Sequence, residues 1–425
     1  MKVLVIGSGR REHALVWGLT RDPGVEQVYS APGNPGIAAL IPQAPQKPVE
    51  CRAVDVADHL AVVSLARELA VDLVVVGPEA PLVAGVADPL RAAGIAVFGP
   101  SKEAAQIEGS KAFAKDVMAA AEVPTGRAYV CTTPEEAAEA IDAFGPPYVV
   151  KDDGLAAGKG VVVTSDRDEA LAHAAACRQV LIEEYLDGPE VSLFAITDGT
   201  TVLPMQPAQD FKRLKDGDEG PNTGGMGAYT PLPWAPEGLV DEVCERVLQP
   251  VVDELRRRGT PFTGLLYAGL ALTSRGVRVI EFNCRFGDPE TQALLPMLQT
   301  PLGSVLYAAA TGKLEEFGPL HWQPGSAVTV VVASKKYPSN PRKGDLITGL
   351  DEAQAAGALV FHAGTAVDGE DLVTAGGRVL AVTATGDDLT TARERAYAAV
   401  DLIRIKGSQH RTDIALNAAR SDLAV

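Results

Sequence analysis

The chain has 425 residues, with 38 Lys and Arg against 55 Asp and Glu, a formal charge of −17. So large an acidic surplus excludes general affinity for nucleic acid or an anionic membrane, both of which need a basic surface. The length implies about three domains, and 46% apolar with 22% charged residues is ordinary globular composition.

Residues 1–100 alternate short apolar runs with helical patterns. The predicted strands are Val3–Ile6, Val25–Ser30, Leu73–Val76 and Ala96–Phe98, and His59–Leu69 is a predicted helix. Strands alternating with helices predict a doubly wound parallel sheet with binding loops at the carboxyl ends of its strands. Over 101–190 a helix near Ala112–Ala121 precedes a second one, whose start is marked by Thr133, Pro134 and Glu136. Predicted strands Tyr148–Lys151, Val161–Thr164 and Val180–Glu184 follow, with Ser165 and Asp168 as caps of the intervening helix. Together they read as a small α+β lobe. Between 191 and about 315 the predicted strands are Ser192–Ile196, Leu266–Leu272 and Val277–Phe282. A glycine-rich loop at 217–229 and a helix near Leu239–Arg258 interrupt them. The tail predicts strands Ala327–Ala333, Val360–Ala363 and Val379–Thr383. A helix then places Leu389, Ala392, Ala396, Val400 and Ile403 on one face. The expected domains are 1–100, 101–325 with a lid lobe at about 121–190, and 326–425.

The five cysteines are scattered and form no C-x-x-C pair, which argues against a disulfide framework or structural zinc. The apolar run in MKVLVIG is too short for a signal-peptide core, and no uncharged apolar stretch approaches about 18 residues. The expected setting is the cytoplasm, with neither membrane nor nucleic acid as partner.

Five segments carry chemistry. GSGRREHA (7–14) is a strand-to-helix turn that can offer N–H groups to an anion. It fails the dinucleotide fingerprint because Glu12 occupies the third glycine position and no acid ends the second strand. GLAAGKG (154–160) is not a Walker loop, since Asp153 and Gly160 break that pattern and VVVT continues as a strand. It reads as a glycine-rich hairpin with Lys159 on it and Lys151 on the strand before it, suited to phosphates. Glu183, Glu184 and Glu190 follow, either a solvated strand edge or the nucleoside end of the same site. The segment 209–229 combines Asp210, Lys212, Arg213 and Lys215 with Gly224, Gly225 and Gly227, and a long charged loop of this kind is more often functional than decorative.

EFNCRFGDPE (281–290) is the strongest of the five. Glu281, Asn283 and Arg285 alternate at the strand period and share one face. Carboxylate and amide oxygens suit a hard cation such as Mg²⁺, usually completed by nucleotide phosphates and water. Arg285 can hold a transferring phosphoryl group as a planar charged fork. The bland alternative is a structural salt bridge. There is no G-x-S-x-G or H-E-x-x-H, and the six histidines form no ligand spacing, so protein nucleophiles and zinc chemistry are not expected.

With these motifs, APGNPG (31–36), VVGPEAPL (75–82), EGSKAF (108–113), PNTGGMGAY (221–229) and FHAGT (361–365) complete a pattern that resembles the glycinamide ribonucleotide synthetase family of the ATP-grasp superfamily. The resemblance runs from Met1 to about Asp413. It implies an ATP-grasp fold with an N-terminal doubly wound parallel-sheet domain, a small α+β lid lobe, a central ATP-grasp lobe and a C-terminal α/β domain. It also implies a reaction in purine biosynthesis: ATP, glycine and 5-phosphoribosylamine give glycinamide ribonucleotide, ADP and phosphate through glycyl phosphate. By resemblance, Lys111, Lys151, Gly154, Gly158, Lys159 and Gly160 clamp the ATP phosphates, with Glu183 near adenine and Glu190 near the ribose. Glu281 and Asn283 bind Mg²⁺ or Mn²⁺, and Arg285, Lys212 and Asp210 are the catalytic set. Gly9, Glu12, Glu79, Gly225 and Asp288 line the glycine and phosphoribosylamine sites, and Arg378 faces the sugar phosphate. A monomer is expected. The chain departs from the family pattern at Arg10 (usually Gly), Asp152 (usually Ala) and Phe211 (usually His). The nearest alternatives are another ATP-grasp carboxylate–amine ligase or a biotin-carboxylase-like enzyme. More distant ones are a nucleotide-binding oxidoreductase and a silent nucleotide-binding module.

Overall fold

The computed structural model describes residues 1–40, 47–156 and 160–421, so Gly158 and Lys159 of the expected phosphate hairpin lie outside the described residues. Near the N-terminus, five parallel strands run in the order Val49–Cys51, Gln27–Pro32, Lys2–Gly7, Leu73–Val76, Ala96–Phe98. Val3 through Ile6 and Leu73 through Val76 are buried. Continuous apolar runs of this kind belong to strands covered on both faces. Val49–Cys51 has no such run, and its three residues carry too little pattern to be read from sequence. Strand order reverses between Lys2–Gly7 and Leu73–Val76, so the loops leaving them diverge and open a crevice at the switch point.

The lid lobe is a four-stranded antiparallel sheet, ordered Ala128–Cys131, Val180–Glu183, Tyr148–Asp152, Val161–Thr164. Helices Pro134–Phe144 and Arg167–Ala176 back it, around a small core containing Ile141, Val150, Ala170 and Ile182. Thr133 and Glu136 form the expected capping box. The cap of the second helix is Asp166 rather than Ser165 or Asp168. Its carboxylate accepts the N–H groups of Asp168 (2.9 Å) and Glu169 (3.3 Å), a reach open to the residue just before the first turn.

A second antiparallel sheet runs Val202–Pro204, Glu190–Asp198, Thr263–Thr273, Gly276–Asn283. Glu281 lies opposite Gly269, but Leu270 lies opposite Val279, which leaves Ile280 as an extra residue in its strand. Such a bulge re-aims the side chains beyond it. The third large sheet, ordered Gln209–Asp210, Gly227–Thr230, Ser326–Ala333, Arg378–Gly386, Leu359–His362, joins strands from both sides of position 325. The segment expected as a loop at 217–229 supplies Gly227–Thr230 to this sheet, and Glu219–Asn222 to a separate two-stranded pair with Arg213–Lys215. A Cβ on Gly227 would lie 2.8 Å from the Thr329 carbonyl, so glycine permits this close pairing.

The helix expected near Leu239–Arg258 forms as Leu239–Val243 and Gln249–Arg257, joined by a π-helical turn. In the last long helix, Leu389–Val400, the expected face is buried, with Ile403 packed just beyond the helix end. Among the described residues no helix is long and apolar enough to cross a membrane. Thr133→Ala is expected to cost about 1 kcal/mol of lid-lobe stability. Faster amide exchange over Pro134–Phe144, with unchanged exchange in the N-terminal sheet, is the measurement that checks it.

Candidate active site

The strand Gly276–Asn283 carries Glu281 and Asn283 to its end, where Arg285 continues the run. The Arg285 fork is held from three directions. Nη2 lies 2.9 Å from Glu108 Oε1 and donates to Asn283 Oδ1 at 3.3 Å, while Nε lies 3.3 Å from Glu79 Oε2. Burial opposes the charge of Arg285, but Glu108 and Glu79 outweigh it and keep the guanidinium protonated. Glu79 in turn is pulled below its ordinary range, because Arg285 and Arg11 overcome the effect of its burial. Glu108, which sequence reasoning passed over, also accepts the Cys284 N–H at 2.8 Å.

Three lysines converge on the same side. Lys151 is 5% exposed, and its Nζ lies 2.7 Å from Glu183 Oε2. Lys115 Nζ meets the other oxygen of Glu183 and donates to Thr125 Oγ1 and the Gly126 carbonyl, each at 2.8 Å. Glu183 is thus a buried counter-ion to two ammonium groups. Lys111 Nζ donates to the carbonyls of Asp152 (2.9 Å) and Gly154 (2.8 Å), holding the start of the glycine hairpin. Burial lowers the Lys111 pKa, and the charge of Glu281 partly restores it. Lys151 is raised because Glu183 and Glu281 outweigh its desolvation. Gly160, at the far end of the hairpin, accepts the Asp152 N–H at 2.7 Å.

On the opposite wall, Lys212 Nζ lies 2.9 Å from Glu190 Oε2, both side chains partly exposed. This contact holds Glu190 below its ordinary pKa, against the effect of desolvation. Asp210 has no ion pair within 4 Å among the described residues. Desolvation and the charges of Glu290, Glu190 and Glu281 push its carboxyl up to about 7, against the attraction of Lys212. Behind it Tyr267 donates to Glu290 Oε1 at 2.7 Å, with Ser192 Oγ 3.3 Å from the same oxygen. Phe211 follows the strand Gln209–Asp210. It packs 6.0 Å from the Tyr229 ring, with the Arg411 guanidinium 4.9 Å from its centroid.

The crevice of the N-terminal sheet completes the site. Glu12 accepts the Gly9 N–H at 2.6 Å and pairs with Arg11 Nε at 2.7 Å. A Cβ on Gly77 would lie 2.1 Å from Glu12 Oε1, so this glycine makes room for the carboxylate. Gly225 has φ +112°, and a Cβ there would lie 2.5 Å from Pro289 Cδ, which closes its loop over Asp288–Pro289. Arg378 Nη1 donates to the carbonyls of Gly224 (2.5 Å) and Gly225 (3.3 Å), and Asp288 Oδ1 lies 2.9 Å from Arg10 Nη2.

The expected residues therefore gather in three neighbouring groups: Lys111, Lys151, Gly154, Gly160 and Glu183; Asp210, Lys212, Glu190 and Glu281; and Gly9, Glu12, Glu79, Arg285, Gly225, Asp288 and Arg378. Sequence reasoning quoted Glu108, Arg11 and Glu290 inside its motifs without giving them a role, and missed Lys115 and Tyr267. Lys115 had a signal, lying four residues after Lys111 on the same helix face.

Among the described residues no three His, Cys, Asp or Glu side chains gather as a metal cage. Glu281 and Asn283 offer two oxygen donors, and the Glu281 carboxylate has no ion pair within 4 Å among those residues. Such a pair fits a hard cation that takes its remaining ligands from phosphates and water.

Family models for phosphoribosylglycinamide synthetase match the chain in three blocks: the N domain over 1–108, the ATP-grasp (A) domain over 109–291 and the C domain over 327–417. A phosphoribosylamine–glycine ligase of Streptomyces coelicolor is 67% identical over 422 residues, 99% of this chain and 100% of the relative. The crystal structure of phosphoribosylamine–glycine ligase from Thermotoga maritima superposes with a TM-score of 0.83 at 33% identity, covering 98% of this chain and 100% of that one. The biotin carboxylase domain of Hydrogenobacter thermophilus 2-oxoglutarate carboxylase shares the fold, with a TM-score of 0.70 at 16% identity over 96% of this chain and 91% of that one. On these matches the chain belongs to the phosphoribosylglycinamide synthetase family.

Proposed function

We propose that the chain joins glycine to 5-phosphoribosylamine, consuming ATP and releasing ADP and phosphate, with the roles divided as follows. The observation that carries this reading is that Lys151 reaches the strand of Glu281, its Nζ 3.5 Å from the Ile280 carbonyl, and that the charge of Glu281 is felt by both Lys111 and Lys151. A carboxylate is a poor acyl donor. One oxygen of glycine therefore attacks the γ-phosphorus of ATP, the bond to ADP breaks, and glycyl phosphate forms. Lys111 and Lys151 hold the nucleotide phosphates. Mg²⁺ or Mn²⁺ held by Glu281 and Asn283 would neutralise charge on the phosphate oxygens. Arg285, fixed by Glu108 and Glu79, steadies the acyl phosphate. The amine of the second substrate then attacks the carbonyl carbon, the C–O bond to phosphate breaks, and the amine proton passes to Asp210. Glu190 meets the ribose of ATP, its partner Lys212 lines the phosphoribosylamine site, and closure of the lid lobe keeps water from the acyl phosphate. A cytoplasmic setting belongs to the same reading, supported by the five free cysteines.

ADP release is expected to require glycine, phosphoribosylamine and a divalent cation together; equal release without glycine would refute the assignment. Glu281→Ala is expected to abolish turnover while leaving the thermal unfolding midpoint near that of the wild type. Retained turnover at ordinary divalent concentration would remove the metal role.

As a base, Asp210 must be ionised, so kcat/KM for phosphoribosylamine is expected to fall about tenfold per pH unit below about 7. The same limb persisting in Asp210→Asn would assign it elsewhere. The sign for stability follows from the raised pKa. The native state binds more protons than the unfolded chain between about pH 4 and 7, so this residue lowers stability as pH rises through that window.

A further inference from the structure

Arg10 is 1% exposed, and of its guanidinium nitrogens only Nη2 has a partner, Asp288 Oδ1 at 2.9 Å. Nε and Nη1 are buried without a hydrogen bond. Buried donors are normally satisfied, so two open positions on a charged group require a reason. Arg378 approaches the same place from the C-terminal sheet and has no carboxylate within 4 Å among the described residues. Burial and the nearby charge of Arg378 together push Arg10 down to about 10, against the attraction of Asp288. Asp288 answers both: Arg10, Arg378 and Arg11 hold it well below the usual carboxylate range in spite of its burial. Arg11 already has Glu12, so Arg10 and Arg378 share one carboxylate and leave a positive charge uncompensated.

We infer that Arg10, which the family pattern lacks, is a further ligand of the 5-phosphate of the ribosyl substrate beside Arg378, whose place there the resemblance already implies; this rests on the reading of the reaction above. A phosphate monoester supplies what the pair lacks, two negative charges and oxygen acceptors matched to guanidinium forks. The other anions of the reaction have their cations elsewhere, ATP at Lys111 and Lys151 and the acyl phosphate at Arg285. Arg378 is partly exposed and makes the outer contact. As the anion enters, Arg378 turns from the Gly224 and Gly225 carbonyls, and the free nitrogens of Arg10 gain their acceptors. Because Arg10 opens the N-terminal helix Arg10–Thr20 and Arg378 opens a C-terminal strand, the bound phosphate ties the two ends of the chain together.

The test uses the whole enzyme with Arg10→Ala and Arg10→Lys, and with ribose 5-phosphate as an inhibitor against phosphoribosylamine, ribose being the control without phosphate. In the wild type ribose 5-phosphate should compete and ribose should not. Arg10→Ala is expected to raise both KM for phosphoribosylamine and Ki for ribose 5-phosphate about ten- to a hundredfold. KM for ATP and for glycine should stay within about twofold, with Arg10→Lys intermediate. An unchanged Ki in either variant with a wild-type unfolding midpoint overturns the inference. So does a parallel rise in all three KM values together with a lower midpoint, which would make Arg10 a tether for Asp288 alone. If Arg10→Ala does not fold, Arg10→Lys decides, since it keeps the charge beside Asp288 and loses the fork. Calorimetric binding of ribose 5-phosphate needs no turnover, so its loss in Arg10→Lys is separable from a wild type that releases ADP without glycine.

Discussion

The ammonium of Lys151 is almost wholly buried, and it remains charged because Glu183 lies 2.7 Å away and Glu281 is close by. Much of the site depends on that constraint. Glu183 is shared with Lys115, which reaches the Thr125 hydroxyl and Gly126 carbonyl at the root of the lid lobe. Lys151 itself lies 3.5 Å from the Ile280 carbonyl, at the bulge in the strand that carries Glu281. One buried network therefore joins the lid sheet to the strand of the oxygen donors. Removing Glu183 would strand the buried Lys151 ammonium, which is far more costly than the net value of the pair.

The second organising contact is the Arg285 fork. Its partners come from the crevice of the N-terminal sheet (Glu79), from the Gln106–Gly109 helix (Glu108) and from its own strand (Asn283). Three separate parts of the chain therefore meet at one guanidinium. Asp210 faces this junction from a strand that pairs with Gly227–Thr230 and so belongs to the C-terminal sheet. Residues of all three matched blocks therefore take part, Glu79 and Glu108 from the first, Asp210 from the second and Arg378 from the third.

Local pattern carried much of this. The runs VLVI and LVVV, the Thr133 capping box, and the alternation of Glu281, Asn283 and Arg285 follow from periodicity and chemistry within a few residues. What escaped depends on distance in sequence. The Glu108–Arg285 contact spans 177 positions. The membership of Gln209–Asp210 in the tail's sheet is set by pairing partners rather than by its own residues. Glu183 stands on a strand rich in neighbouring acids, and nothing local separates a residue facing a nucleoside from a counter-ion to two lysines. The departures are partly explained. Phe211 packs onto Tyr229 and Arg411, so an aromatic carbon surface suits it. Arg10 is buried beside Asp288 in a place where a glycine would leave that carboxylate without its nearest cation. Nothing in the structure explains Asp152.

The central claim is that the glycine carboxylate is activated by direct phosphorylation in this site. Turnover with glycine labelled with ¹⁸O in its carboxylate, followed by mass analysis of the released phosphate, tests it most directly. Transfer of one carboxylate ¹⁸O into each inorganic phosphate formed is the predicted result, since the C–O bond breaks when the amine attacks. Unlabelled phosphate with labelled product would contradict the account.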